Sequence, residues 1–320
     1  MTALYPWLMP IYHQIAQTFD EGLGHHAVLI KADSGLGVES LFNALVQKIM
    51  CVAQGDKPCG QCHSCHLMQA HSHPDYHELS PIDGKDIGVD QVRGTNEMVA
   101  QHAQQNGNKV VYVQGAERLT EAAANALLKT LEEPRPNTYF LLQTDSSSSL
   151  LATIYSRCQV WNLSVPNEQM ASDWLKSESA AENQEILTAL AMNLGRPLLA
   201  LETLQQGLIE QRKNFLRQFW VFYRRRSPLE LLPLFDKERY VQQVDWILAF
   251  LSDCLKHKLE IDSHRQVADL GRGIEQFSNE QTALGLLQSI KIMQQVRSDL
   301  LTINGVNVEL MLLDGLTRLV

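Results

Sequence analysis

An apolar run, Ala27-Val28-Leu29-Ile30, passes into Ala32-Asp33-Ser34-Gly35-Leu36-Gly37-Val38-Glu39 and then into an amphipathic segment beginning near Ser40. This is the outline of a buried strand, a phosphate-binding loop and a helix, and it confines the first part of the chain to folds in which a strand delivers a loop to a helix N-terminus. Against the pattern Gly-x-x-x-x-Gly-Lys-Ser/Thr, Ala32 stands at the first glycine, Val38 at the lysine that pairs phosphates, and Glu39 at the hydroxyl that binds magnesium. A carboxylate there repels phosphate at a helix end that otherwise attracts it. The frame is kept and its charged groups are gone, which suggests a protein that works beside an ATPase rather than as one. Taken alone, Gly35-x-Gly37 is also the pattern of an ordinary strand-to-helix turn, so other segments must decide.

Four of the six cysteines fall together as Cys51, Cys59, Cys62 and Cys65, with the spacing C-x7-C-x2-C-x2-C across an excursion at 54–61. In a reducing compartment such a run reads as a metal site before it reads as disulfides. Four thiolates close a tetrahedral zinc shell and leave no open position, so the site is expected to be structural. An iron-sulfur run would continue to a cysteine where this chain has Gln69. Unliganded or redox-active thiols are the other alternative, and His63, His66, His71, His73 and His77 are near enough in sequence to replace a thiolate. Cys158 and Cys254 stand alone and read as buried apolar residues.

At 320 residues, 45% of them hydrophobic, the chain can bury two or three cores. Its net charge of -9 argues against autonomous high-affinity DNA binding, which relies on Lys and Arg displacing counterions. Arg224-Arg225-Arg226 reads first as a solvated helix face. Phe219, Trp220, Phe222 and Tyr223 beside it have the spacing of a buried helical stripe, although base stacking would use the same residues. No apolar run reaches membrane-span length, and residues 1–10 lack the pattern of a signal peptide, so a cytoplasmic protein is expected.

Alternating strands and helices are predicted up to about Ser164: strands near 75–79, 109–113, 139–142 and 159–163, a helix capped by Asp90 and running toward Gln104, and a helix over 121–133 stopped by Pro134. Such alternation predicts a mainly parallel sheet covered by helices. Beyond Pro166 only helices are predicted, short ones over 168–176, 182–193 and 197–205 and longer ones from Glu210 onward. His25-His26 read as packing at a strand edge, and Leu127, Leu128 and Leu131 as core. Lys129, Glu132 and Glu133 read as a solvated or interfacial polar face.

The position after Val113, where a P-loop ATPase carries an acidic pair, holds Gln114-Gly115. A second catalytic element is therefore missing. Together with Trp7-Leu8, His73-Pro74-Asp75, the run from Ile87 to Arg93, the run from Asn125 to Pro134 (NALLKTLEEP) and Ser156-Arg157-Cys158, these residues resemble bacterial clamp-loader subunits of the AAA+ class. The resemblance is dense from residue 5 to about 165 and thins to helical pattern after about 205.

It implies an α/β RecA-like AAA+ domain over 1–165 carrying a zinc module at about 51–65, an all-α helical lid over 166–207 and an all-α helical collar over 208–320. It implies a stator-like subunit that binds no ATP and hydrolyses none. Arg157, in the Ser-Arg-Cys segment, would be an arginine finger acting in trans on ATP held by a neighbour. The partners implied are the gamma/tau ATPase subunits and the delta subunit in a hetero-oligomeric ring and, within it, the sliding clamp and primed DNA. A lid sensor arginine normally lies in Gly-Ser-x-Arg, whereas this chain has Gly195-Arg196-Pro197-Leu198, so nucleotide sensing by the lid is not expected and Arg196 is the arginine left there. The rival readings are an ATP-hydrolysing motor subunit, opposed by Val38, Glu39 and Gln114-Gly115, and a zinc-dependent DNA-binding protein, opposed by the acidic balance.

Overall fold

The computed structural model describes residues 4–53, 55, 57–261, 265–303, 305 and 307–320; of the 54–61 excursion, Gln54 and Asp56 lie outside the described residues. The chain forms two compact units, Met1–Pro166 and Asn167–Val320.

The first unit is built on a five-stranded sheet. Its strands are β1 (Ala27–Ala32), β2 (Tyr76–Leu79), β3 (Lys109–Val113), β4 (Thr138–Thr144) and β5 (Gln159–Leu163), in the order β2-β3-β4-β1-β5. Every pairing is parallel. The helices are α1 (Met9–Asp20), α2 (Val38–Met50), α3 (His63–Gln69), α4 (Val89–Ala100), α5 (Glu121–Glu132) and α6 (Ala152–Tyr155). Helices cover both faces, so the central strands read as unbroken apolar runs rather than alternating ones. On one face Leu29, Val111, Phe140 and Leu142 pack with Val92 and Val99 of α4 and Leu127 and Leu131 of α5. On the other, Tyr112 stacks on Phe42 of α2, with ring centroids 4.7 Å apart. This is the expected RecA-like α/β arrangement.

Several boundaries differ from the sequence reading, each for a local reason. Helix α2 starts at Val38 instead of near Ser40, because Gly37 takes the left-handed conformation (φ 70°) at its N-cap. Asp90 does not cap α4. Gly88 does, and its N–H donates to Gln91 Oε1 at 2.9 Å, leaving Asp90 in the first turn. The same helix stops at Ala100, short of Gln104. Lys109 Nζ donates to the Val99 and Gln101 carbonyls, and the Asp75 carboxylate accepts the Gln104 and Gln105 amides at 2.8 and 2.9 Å. Strand β4 runs two residues past Leu142, because Gln143 and Thr144 pair with Ile30 and Lys31. A 3-10 turn (Pro6–Leu8), α1, α3 and α6 were not anticipated at all.

Among its described residues the second unit has helices and no strand. Helices α7 (Glu168–Glu178), α8 (Asn183–Met192) and α9 (Pro197–Gln205) close a small core around Leu175, Ile186 and Ala189. Helices α10 (Leu208–Arg225), α11 (Pro228–Leu231), α12 (Tyr240–Lys258), α13 (Gly271–Glu280), α14 (Ala283–Thr302) and α15 (Val308–Arg318) surround a larger one. Phe219 and Phe222 are fully buried in it, with Trp220 and Tyr223 packed against its edge, so the aromatic stripe of α10 is core. Helix α15 approaches α14 through Gly315, where an added Cβ would stand 2.4 Å from Val296 Cγ2.

Phe140 is fully buried between β1 and β3. Phe140→Ala should therefore destabilise the first unit by about 3–5 kcal/mol, read as faster amide hydrogen exchange in β1 and β3. Unchanged protection of those strands would contradict the packing described.

Candidate functional site

The loop after β1 has the form of a phosphate cradle and the wrong charges for one. Gly35 and Gly37 both take positive φ (83° and 70°), so the chain makes the tight turn such a loop needs. Leu36 is fully buried, and its carbonyl accepts a hydrogen bond of 2.9 Å from Trp7 Nε1, which pins the loop to the Pro6–Leu8 turn. Val38 is buried as well, so the position of the phosphate-pairing lysine faces core. A small cavity of about 190 Å³ lies against Ala32, Gly35, Gly37 and Val38. Four carboxylates line it, Asp33, Glu39, Glu117 and Asp145, and among the described residues no lysine or arginine does. Glu39 Oε1 accepts from Gln143 Nε2 at 3.4 Å, a neutral partner. The field in this cavity opposes a triphosphate.

At the end of β3, Gly115 (φ 74°) turns the chain into a 3-10 turn, Ala116–Arg118. The Gln114 N–H is engaged with the Leu79 carbonyl at 2.8 Å. Glu117, which sequence reasoning passed over, reaches the cavity from this turn. Its place four residues beyond Val113 is the available signal, and it lies outside the positions directly after the strand that the motif specifies.

Arg157 follows α6 just ahead of β5, with 28% of its side chain exposed. Its Nη1 donates to the Thr153 carbonyl at 2.8 Å and to Ser156 Oγ at 3.1 Å, and its Nη2 forms an ion pair with Glu132 at the end of α5. The anchors on Thr153, Ser156 and Glu132 were not foreseen, since α6 is too short for a periodic signal.

The cysteines converge. The Sγ atoms of Cys51, Cys59, Cys62 and Cys65 all lie within 4.8 Å of one another, with Cys59 and Cys65 at 3.9 Å. Zinc-sulfur bonds of about 2.3 Å in a tetrahedron put sulfurs about 3.8 Å apart, so the set fits that ion. Among the described residues, none of His63, His66, His71, His73 and His77 joins the group. Backbone amides point at the sulfurs: Cys59 N–H donates to Cys51 Sγ (3.3 Å), Cys62 N–H to Cys59 Sγ (3.3 Å), and Cys65 N–H to Cys62 Sγ (3.4 Å), the last capping α3. Hydrogen bonds from the Gln61 and Cys62 backbone lower the Cys59 thiol to about 6. Burial works against Cys62, yet backbone hydrogen bonds from Val52 and Cys65 leave it lowered too. Burial pushes Cys65 up to about 12. A dication would reverse that penalty, because it turns an isolated buried thiolate into a paired one.

Two buried groups tie this module to the sheet. Lys48 on α2 donates to Asp20 Oδ1 on α1 and to the Gly55 carbonyl, each at 2.5 Å. His73 Nδ1 accepts the Asp75 N–H at 3.1 Å, which leaves Nε2 to donate to Ser64 Oγ at 2.6 Å. Burial lowers the His73 imidazole, in keeping with that neutral tautomer.

The remaining candidates have local roles. Arg196 Nε donates to the Asn193 carbonyl at 2.9 Å in the turn before α9. Arg224 pairs with Glu280, Arg225 with Glu230, and Arg226 with the Val320 carbonyl. The His25 and His26 rings stack 4.4 Å apart, and His26 Nε2 donates to the Leu131 carbonyl at 2.9 Å. Cys254 is buried and Cys158 half-buried. No described helix is long and apolar enough to cross a membrane.

Comparison with known proteins places this architecture. A solved DNA polymerase III gamma subunit-related protein from Thermotoga maritima superposes with a TM-score of 0.50 at 20% identity, over 95% of this chain and 98% of that one, a likeness of fold. The family model described as DNA polymerase III, delta subunit, matches residues 9–167, and its C-terminal counterpart matches 206–320. DNA polymerase III subunit delta' of Escherichia coli is 37% identical over 317 residues, covering 98% of this chain and 95% of that protein. The Haemophilus influenzae subunit delta' is 95% identical over 320 residues, all of this chain and 98% of that protein. With identity of that order along its whole length, and both family models matching in sequence order, the chain belongs to the delta' subunits of DNA polymerase III.

Proposed function

We propose that this clamp-loader subunit is the stator of its ring: it binds no nucleotide, hydrolyses none, and lends Arg157 to ATP held by an adjacent ATPase subunit. The observation that carries the reading is the cavity after β1, lined by Asp33, Glu39, Glu117 and Asp145 with no cation. In hydrolysis at the neighbouring site, water bonds to the γ-phosphorus as the bond to the β-γ bridging oxygen breaks, leaving ADP and phosphate. Charge builds on the phosphoryl oxygens, and a planar guanidinium meets it with two parallel hydrogen bonds.

The reading assigns α7 to α9 to a lid and α10 to α15 to a collar through which the subunit joins its partners, the gamma/tau ATPase subunits and delta, in the cytoplasm. Sliding clamp and primed DNA are handled by the assembled ring. Arg196, held in its own turn, is given no part in nucleotide sensing. Cys51, Cys59, Cys62 and Cys65 hold one structural zinc, and with four protein ligands that ion has no position open for substrate.

Purified protein should contain about one zinc per chain by elemental analysis. Cys62→Ser should lower that content and the thermal midpoint together; iron, or no metal after chelator-free reducing purification, would contradict the assignment. Calorimetry of the isolated chain with magnesium-ATP should give no heat of binding at physiological nucleotide concentration. Micromolar affinity would reject the stator reading.

In the reconstituted complex, Arg157→Ala should leave assembly and zinc intact and slow hydrolysis at the one site it serves. Fingers supplied in trans are worth on the order of 10³ to 10⁵ in rate at their site. Bulk ATPase, summed over several sites, should fall less than clamp loading does. Arg157→Lys should recover little, since a point charge does not reproduce the fork. Unchanged clamp loading and hydrolysis by an assembled Arg157→Ala complex would overturn the assignment.

A further inference from the structure

Glu132 is the last residue of α5, at the helix end where unpaired carbonyls already gather negative charge. A carboxylate there opposes the helix dipole, so α5's own stability does not explain it. What it does hold is Arg157, 25 residues further along the chain, after β4 and α6.

The contacts of that guanidinium can be counted. It has five N–H donors. Both hydrogens of Nη1 are engaged, by the Thr153 carbonyl (2.8 Å) and Ser156 Oγ (3.1 Å), and one hydrogen of Nη2 by Glu132 Oε1. The Nε hydrogen and the second Nη2 hydrogen have no acceptor among the described residues. Two free donors are the number that a bidentate phosphate contact uses. Thr153 and Ser156 lie on Arg157's own turn and move with it. Glu132 is the one anchor on a different element, and α5 is tied to the sheet through Leu127 and Leu131 and through the bond from His26 to the Leu131 carbonyl.

We infer that Glu132 is the positioning residue for Arg157: by accepting from one edge of the guanidinium it fixes the plane in which the two remaining donors are offered to a phosphoryl group on the neighbouring subunit. The inference rests on the role proposed above for Arg157. Glu132 touches no nucleotide and acts only through the arginine. A flexible arginine would have to be ordered at the moment of reaction, whereas a held one has lost that freedom beforehand.

The test uses the intact hetero-oligomeric complex, with single-turnover ATP hydrolysis followed in the presence of sliding clamp and primed DNA. Glu132→Ala should slow the phase belonging to the served site on the order of tenfold, with the KM for ATP, zinc content and assembly unchanged. Glu132→Gln keeps an acceptor oxygen at the same reach and should recover most of the rate. Adding Glu132→Ala to Arg157→Ala should cost nothing further, because a residue that works through the arginine has nothing left to position.

A wild-type rate in Glu132→Ala beside a slowed Arg157→Ala complex would overturn the inference and leave the finger reading standing. Losses that add in the double variant, or no recovery with Glu132→Gln, would overturn it too. A wild-type rate in Arg157→Ala would instead sink the reading on which it rests. Should Glu132→Ala fail to assemble, Glu132→Asp, which withdraws the carboxylate by one methylene, is expected to slow the same phase, and a wild-type rate from it would overturn the inference.

Discussion

The structure depends on the burial of β1 between β4 and β5. Val28, Leu29 and Ile30 are fully buried, and each is paired on both sides, Leu29 with Leu142 and Val160. A strand held in that way cannot slide without turning every side chain to the wrong face. The loop at its end is therefore fixed in space whatever residues it carries. Val38 and Glu39 stand where the phosphate-pairing lysine and the hydroxyl of such a loop would, while the turn itself is kept, with positive φ at Gly35 and Gly37 and the Trp7 hydrogen bond to the Leu36 carbonyl. The same sheet sets Arg157, because the segment that feeds β5 must pass the end of α5 where Glu132 waits.

The cysteine module is a strut on this frame. Its anchors are a buried lysine between α1 and the cysteine loop and a buried histidine between α3 and the start of β2. Both side chains are buried and hydrogen-bonded, and their value lies in direction. A lysine with one carboxylate and one carbonyl to satisfy admits few arrangements of the elements that supply them. The four sulfurs beside these anchors lie within 4.8 Å of one another, close enough to share one metal ion.

Much of the first unit was legible in the sequence because its signals are short-range and redundant. The apolar runs at 27–30 and 109–113 have no helical period, Pro134 ends α5, and C-x2-C-x2-C spacing has few structural readings. Boundaries set by distant groups were not legible. The end of α4 depends on Lys109 and Asp75, and its start on Gln91 rather than on the acidic residue at 90. Helices α3 and α6, of seven and four residues, are too short to show a period. Glu117 at the cavity and Glu132 on Arg157 are contacts between segments that no local pattern joins. In the second unit the aromatic stripe of α10 announced its core at helical spacing, and the partner of each basic residue beside it could be found only in three dimensions.

We propose a chain that keeps the shape of a nucleotide site while serving its neighbour's. A structure of the reconstituted complex with ADP and beryllium fluoride, solved by electron cryomicroscopy, tests it most directly. No nucleotide density is expected against residues 33–39 of this subunit, and the Arg157 guanidinium is expected within hydrogen-bonding distance of the fluoride on the adjacent ATPase subunit. Nucleotide seated in the loop after β1, or Arg157 turned away from an occupied neighbouring site, would contradict it.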